Sequence, residues 1–342
     1  MIEVVIASYL EPEHVARIAA ARDGVRVHAC MDLLPPPRYA ADHIGAPFAR
    51  DEASERVWRD LLGRADVLFD FDYLRPANLL EHAPRLRWVQ ATSSGIGQFI
   101  ERHGLGGRDI VFTTAAGIHG RPLAEFVVWA MIGAAKGYPR ARAQQQRCHW
   151  ERFSGSEILG STLVMVGMGG IGRSVAALVR PLGVRVIGVK RDTNGCDEGA
   201  LGVDALVPWT DLDAVLPEAD HVVLACPLTP DTRQLMDAER LARCKPGSLL
   251  VNIGRGGLVD HVALLQALDA GAIGTAVLDV TDPEPLPPEH ALWRHERVVV
   301  FPHSASTSVR ENERLVDLFI DNLHRFVEAR PLRNVFEATR GY

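Results

Sequence analysis

The sequence predicts an α/β protein made of two doubly wound domains, each a parallel sheet covered by helices on both faces. Three observations carry this. Short β-branched runs alternate with helical spacing almost from end to end, the pattern of strand–helix–strand units. The 342 residues suit two domains at about 150 residues each. The alternation breaks once, over 144–160, and a second, cleaner series follows.

In the first series, strands are expected over 3–7, 25–29, 65–69, 86–89 and 109–112, with helices over 11–21 and 54–62 and a loop at Pro35-Pro36-Pro37. Residues 122–137 read as a long helix, with Pro122 suited to its first turn. The second series has six expected strands, over 162–166, 184–189, 221–226, 249–253, 275–278 and 298–301. Helical stretches over 171–182, 212–216, 237–244 and 259–270 separate most of them. The tail over 309–328 places Leu315, Leu318, Phe319, Leu323, Phe326 and Val327 on one helical stripe. Six strands already complete a nucleotide-binding domain, so the tail is free to return to the first. The expectation is a discontinuous domain of residues 1–118 and 308–342 around a second domain, 119–307.

Composition excludes several classes. Hydrophobic residues are 47% and charged residues 23%, ordinary for a soluble globular chain and unlike a disordered, collagenous or coiled-coil one. The longest apolar run, 126–135, is far below the ~18 residues of a membrane span. The opening Met1-Ile2-Glu3-Val4-Val5-Ile6 reads as a strand and not as a signal peptide. A net charge of −6 gives no pull toward nucleic acid or anionic lipid. The cysteines at 30, 148, 196, 226 and 244 are odd in number and widely spaced, which points to reduced thiols in a cytoplasmic enzyme. No His-x-x-x-His pair lies near a carboxylate, so no metal is expected.

The strongest local signal is Gly167-Met168-Gly169-Gly170-Ile171-Gly172, a GxGxxG directly after a strand and opening a helix. Gly167 permits the tight turn, Gly169 lets backbone approach a pyrophosphate, and Gly172 lets helix and strand pack closely. The helix N-terminus then offers free N–H groups to phosphates. This is the signature of a Rossmann dinucleotide-binding domain.

NAD-binding chains usually carry Asp or Glu at the end of the second strand, accepting from the ribose hydroxyls. Here Lys190-Arg191 stands there. Two cations suit a 2′-phosphate, so NADP(H) is preferred and NAD(H) remains possible, through Asp192 folding back onto the ribose. Further on, Asn252-Ile253-Gly254-Arg255-Gly256-Gly257 puts Arg255 at a strand's carboxyl end, where a guanidinium can clamp a carboxylate. Leu278-Asp279-Val280 with Pro283-Glu284-Pro285, and then Phe301-Pro302-His303-Ser304-Ala305, end the next two strands. An acid beside a histidine fixes its tautomer and favours its protonated form, as a proton donor to a carbonyl requires.

Taken in order, these motifs resemble the D-isomer-specific 2-hydroxyacid dehydrogenase family, in its glyoxylate/hydroxypyruvate reductase-like branch. Ser93-Ser94-Gly95-Ile96, Ala124-Glu125, Cys226-Pro227-Leu228-Thr229-Pro230-Asp231-Thr232 and Pro302–Thr307 belong to the same resemblance, which covers nearly the whole chain. It implies a Rossmann NAD(P)-binding domain and a smaller flavodoxin-like substrate domain. It also implies roles. Arg255 would bind the substrate carboxylate and polarise the keto oxygen. His303 would be the general acid in reduction and the base in oxidation, with Glu284 as its partner. Backbone N–H groups at Ser94 and Gly95 would hold the carboxylate from the first domain. Gly170 and Ile171 would meet the pyrophosphate. Cys226, Pro227, Ile253, Gly254 and Ala305 would line the cofactor cleft, and Asp279 would bind the nicotinamide carboxamide. Glu284 separates the chain from formate dehydrogenases, whose histidine partner is Gln.

The function expected is reversible hydride transfer between NAD(P)H and a small 2-oxo acid, giving a D-2-hydroxy acid, in a site between domains. The alternatives are an NAD-dependent short phosphoglycerate or D-lactate dehydrogenase, or a nucleotide-sensing corepressor-like scaffold. The absence of a further C-terminal domain speaks against the long, allosteric phosphoglycerate dehydrogenases. The resemblance implies a homodimer formed through the nucleotide domain, with 122–137 and 144–160 as contacts. Phe69, Phe71, Tyr73 and Trp129 are candidates for an aromatic wall around the substrate side chain, with core packing the commoner fate of each.

Overall fold

A computed structural model describes residues 1–337. It divides into two compact units, residues 1–118 with the chain from 307 onward, and residues 119–306.

The smaller unit holds five parallel strands, β1 (Ile2–Ile6), β2 (Val25–His28), β3 (Val67–Phe69), β4 (Trp88–Gln90) and β5 (Val111–Thr113). Their order is β2-β1-β3-β4-β5, the flavodoxin-like order with its switch point between β1 and β3. One face packs Val5, Leu68 and Val89 against Trp58 and Leu62 of helix Glu52–Arg64. The other packs Val4, Ile6, Phe69 and Trp88 against Ile18 of helix Pro12–Ala20 and against Leu315, Phe319 and Leu323 of helix Glu311–Val327. Phe319 stacks on Trp88 with centroids 5.0 Å apart and meets Phe69 edge-on at 5.3 Å. The apolar stripe of the tail thus completes this unit's core. Asp51 begins helix Glu52–Arg64 by accepting the Ser54 N–H, an N-cap that satisfies one open donor.

The larger unit has seven parallel strands. They are β6 (Thr162–Val166), β7 (Arg185–Lys190), β8 (Ala205–Pro208), β9 (His221–Leu224), β10 (Ser248–Asn252), β11 (Ile273–Leu278) and β12 (Val298–Val300). Their order is β12-β11-β10-β9-β6-β7-β8, so strand order reverses between β6 and β9. Helices Gly120–Ala135 and Gly170–Val179 cover one face. Helix His261–Ala270 and the short turns around Leu212 and Leu241 cover the other.

Two expectations need correction. Six strands were expected here and there are seven. β8 is an edge strand of four half-buried residues ending in Pro208, too short and too little buried to show alternation. The segment beginning at 144 was expected to be irregular, but helix Tyr138–Gln146 runs into it. That helix buries no residue, so no apolar stripe marks it; Pro139 in its first turn is its signal. No helix among the described residues is long and apolar enough to cross a membrane.

Candidate active site

The reversal between β6 and β9 sets the site's location, because ligands of open α/β sheets bind beyond the carboxyl ends at such a point. Adjacent strand ends carry Gly167 after β6, Cys226 after β9, Arg255 after β10, Asp279 after β11 and His303 after β12; Lys190 closes β7.

Gly167 takes φ +106°, and a β-carbon there would lie 2.8 Å from the backbone of Ala225 and Cys226. Only glycine suits that close approach. A β-carbon on Gly172 would overlap the Gly167 carbonyl oxygen, so turn and helix pack backbone to backbone. Gly169 and Gly170, by contrast, face open space. Helix Gly170–Val179 has no side-chain cap, so its first N–H groups are available to an anion. The open cradle, the uncapped helix start and the strand-end position together suit a dinucleotide pyrophosphate. Cys226 and Pro227 form the neighbouring wall. Burial pushes the Cys226 thiol up to about 11, so it stays neutral. The Pro227 carbonyl accepts from the Thr232 hydroxyl at 2.7 Å, which folds the Pro227–Thr232 loop on itself.

At the end of β7, the Lys190 ammonium lies 3.2 Å from the Cys196 sulfur. Arg191 is exposed. The Asp192 carboxylate accepts the Asn194 N–H at 2.9 Å and is engaged in its own turn.

Arg255 is held by its backbone. Asn252 is fully buried; its side-chain oxygen accepts the Gly254 N–H at 3.1 Å, and its amide donates to the Arg255 carbonyl at 2.9 Å. The exposed guanidinium donates to the Gly254 carbonyl at 2.7 Å through Nη1. Its remaining donors stay available for a carboxylate. Ile253 is buried beside it.

His303 sits at φ +52°, in the left-handed region that a non-glycine residue adopts at a cost. Its N–H donates to the Asp279 carbonyl at 2.8 Å. The buried Asp279 carboxylate accepts the Ser304 and Ala305 N–H groups, both at 2.9 Å and both on Oδ1. Burial raises the Asp279 carboxyl, and those two N–H bonds act against the rise. The His303 Nδ1 lies 3.0 Å from Glu284 Oε2. The other Glu284 oxygen accepts the Thr281 N–H at 3.0 Å. With Glu284 ionised, Nδ1 carries the hydrogen toward it and Nε2 is the atom left to exchange a proton. Glu284 and His303 are about half exposed, at 41% and 50% of side-chain area.

Arg255, Asp279, Glu284 and His303 thus lie on adjacent strand ends of the larger unit. Ser94 and Gly95 are in the smaller unit, exposed in the loop after β4. Phe69 and Phe71 are core residues, while Trp129 packs on Phe126 and Phe301 in the larger unit. Within the smaller unit, Phe69 and Phe71 belong to cores on opposite faces of the sheet. Sequence reasoning gave no role to Asn252 or Thr281, although Asn252 opens the Arg255 motif. Among the described residues no group of His, Cys, Asp and Glu is arranged to hold a metal ion.

Residues 128–305 match the model of the D-isomer specific 2-hydroxyacid dehydrogenase family's NAD-binding domain. The chain belongs to that family. It is 33% identical over 295 residues to a glyoxylate reductase of Korarchaeum cryptofilum, covering 83% of this chain and 87% of the relative. A family member from Aeromonas salmonicida superposes with a TM-score of 0.80 at 27% identity, covering 98% and 99% of the two chains. An NADPH-dependent glyoxylate/hydroxypyruvate reductase from Sinorhizobium meliloti, solved with NADP and sulfate, superposes with a TM-score of 0.78 at 26% identity over the whole of both chains. As a D-2-hydroxyacid dehydrogenase, the protein is an oxidoreductase that uses a nicotinamide cofactor and acts on 2-hydroxy acids and their 2-oxo partners.

Proposed function

We propose that this dehydrogenase reduces a small 2-oxo acid of the glyoxylate or hydroxypyruvate kind to the D-2-hydroxy acid, with NADPH as the preferred reductant. The observation that carries the reading is the His303–Glu284 pair at 3.0 Å: Glu284 follows β11, the neighbour of the strand that ends in the Arg255 loop, and His303 follows β12 on its far side.

A nicotinamide cofactor, which the Gly167–Gly172 turn and the Cys226–Pro227 wall would hold, would supply the hydride for the keto carbon. The residues do the rest. His303 Nε2 gives its proton to the keto oxygen as the carbonyl π pair moves there, and Glu284 holds the imidazole through Nδ1. Arg255 grips the substrate carboxylate and faces the oxygen on which charge grows, so it helps the transition state more than the ground state. In the smaller unit, the backbone N–H groups at Ser94 and Gly95 are the candidates for holding a substrate carboxylate. In oxidation the steps reverse and His303 accepts the proton.

Lys190 and Arg191 support NADPH, because two cations stand at the strand end where an NAD-binding chain usually carries a carboxylate. The Sinorhizobium enzyme, which carries NADP, points the same way. A homodimer through the larger unit is supported by the exposed Trp129, Ile132 and Tyr138, and by Trp150 at 95% exposure; such a group of large apolar side chains marks a contact surface.

The test is a substrate panel of glyoxylate, hydroxypyruvate, pyruvate and phenylpyruvate with NADPH and NADH. Turnover of glyoxylate and hydroxypyruvate ahead of the others is expected. No turnover with any of them overturns the reading in favour of a nucleotide-sensing scaffold.

A further inference from the structure

The smaller unit holds a buried polar cluster at its own switch point. Ser8 follows β1 and Asp70 follows β3, the two strands between which the order reverses. Asp70 is 0% exposed and sits at φ +71°. A buried carboxylate and a left-handed non-glycine backbone each cost stability, and here one residue combines them. Its charge is met on several sides. The Tyr73 hydroxyl donates to Oδ1 and the Thr92 hydroxyl to Oδ2, each at 3.0 Å. Burial raises the Asp70 carboxyl, and nearby His43, the Ser8 hydroxyl and the Phe71 N–H act against that rise. Ser8 also meets His43 Nδ1 at 3.0 Å.

Serine, histidine and aspartate together invite comparison with a nucleophilic triad, but the order is wrong. The carboxylate is taken by the Tyr73 and Thr92 hydroxyls, and Ser8 is 1% exposed. The cluster holds structure in place instead, and what it holds is specific. Thr92 lies two residues before Ser94. Backbone bonds tie this stretch on the β5 side, from Ala91 N–H to the Thr113 carbonyl at 2.8 Å and from Ala115 N–H to the Ser93 carbonyl at 3.0 Å. Asp70 ties it on the β3 side through Thr92. Past the loop, Phe99 on helix Gly97–Arg102 packs on the Tyr73 ring at 5.5 Å, and Tyr73 is anchored on Asp70. One carboxylate therefore braces both the entry to the Ser93–Ile96 loop and its exit.

We propose that Asp70 is the positioning residue for the loop whose Ser94 and Gly95 backbone receives the substrate carboxylate, acting through Thr92 and Tyr73. The proposal rests on the reading of that loop given above. It predicts a defect confined to the 2-oxo acid. Thr92→Val and Asp70→Ala should each raise the KM for glyoxylate roughly tenfold, the effect of leaving one buried partner unmet. Turnover at saturating glyoxylate should change less than about threefold, since the brace acts on binding and not on proton transfer. Asp70→Asn should restore most of the affinity, because asparagine tolerates the left-handed region and keeps an acceptor for Thr92.

The experiment measures KM and kcat for glyoxylate, with NADPH affinity by fluorescence titration, in the full-length protein. Thr92→Val is a near-isosteric change and keeps the test open if Asp70→Ala does not fold. A raised KM with unchanged NADPH affinity, rescued by Asp70→Asn, supports the proposal. Unchanged KM in Thr92→Val and Asp70→Ala overturns it while leaving the functional reading intact. Parallel loss of NADPH affinity shows a merely structural role and also overturns it. If the unaltered protein reduces no 2-oxo acid of the panel, the functional reading and this proposal fall together.

Discussion

Gly256 presses its α-carbon against the backbone of Thr281, so closely that a β-carbon would overlap the Thr281 carbonyl. Arg255 precedes Gly256, and the Thr281 N–H is bound to Glu284. A single backbone contact therefore sets the spacing between the arginine's loop and the loop holding the histidine's partner.

Gly256→Ala should force these loops apart. The overlapping atoms are backbone and cannot rotate away. We expect catalytic efficiency to fall at least tenfold, as positional errors of about an ångström do, while NADPH still binds. An alanine variant with unaltered kcat/KM would show that the spacing is not critical.

His303→Ala should lower turnover by roughly 10²–10⁴-fold, the worth of a general acid–base group. NADPH affinity, read by fluorescence, should persist. Near-normal turnover would sink the assignment.

Arg255→Ala should damage both substrate affinity and rate, because the proposed mechanism has the guanidinium hold the carboxylate in the ground state and the growing charge in the transition state. Arg255→Lys should recover only part of the loss, since an ammonium cannot form the two-pronged contact. An unchanged KM in the alanine variant would remove Arg255 as the anchor.

Lys190→Asp should erode or reverse the NADPH preference, which we expect at about tenfold to a few hundredfold in the unaltered enzyme. The change should fall mainly on KM for the cofactor, because the contact is remote from the hydride. Equal kcat/KM for NADPH and NADH in the parent would make the basic pair a solvated turn.

His221 supplies a pH test of stability. Burial pulls its imidazole down to about 4, against about 6.5 in an unfolded chain. Its Nε2 meets Ser161 Oγ at 3.1 Å, while Nδ1 is buried without a partner. Between pH 6.5 and 4 the unfolded chain takes up a proton that the folded unit refuses, so stability falls as pH drops through that window. The loss is on the order of 3 kcal/mol at most. His221→Gln should flatten the dependence of the urea midpoint on pH between 7 and 4; an unchanged slope would point to other groups.

The parts legible in the sequence were those that repeat or bury. The runs Val4–Ile6 of β1, Leu163–Val166 of β6 and Val222–Leu224 of β9 are apolar and buried, and the stripe through Leu315, Phe319 and Leu323 has helical spacing because one side of that helix is core. Gly167, Arg255, Asp279, Glu284 and His303 stood out because strand ends gather them. β8 and helix Tyr138–Gln146 escaped because neither presents a continuous buried face. Asp70 was invisible for another reason. Its left-handed backbone is imposed by partners far along the chain, Gln90 and Thr92 among them, and nothing local distinguishes it from a loop aspartate.

The placement of helix Glu311–Val327 against Trp88 and Phe69 has a consequence for biosynthesis. A ribosome releases the first 118 residues early, but the side chains that cover one face of their sheet are translated only after the whole of the intervening unit. At 5–20 residues per second that interval is roughly 10 to 40 seconds. During it the 119–306 segment has every strand it needs and can fold, while the nascent amino-terminal sheet has helix Pro12–Ala20 but lacks the Phe319 ring that packs on Phe69 and Trp88. This face of the newborn chain is where a chaperone would bind, and where aggregation would begin in its absence.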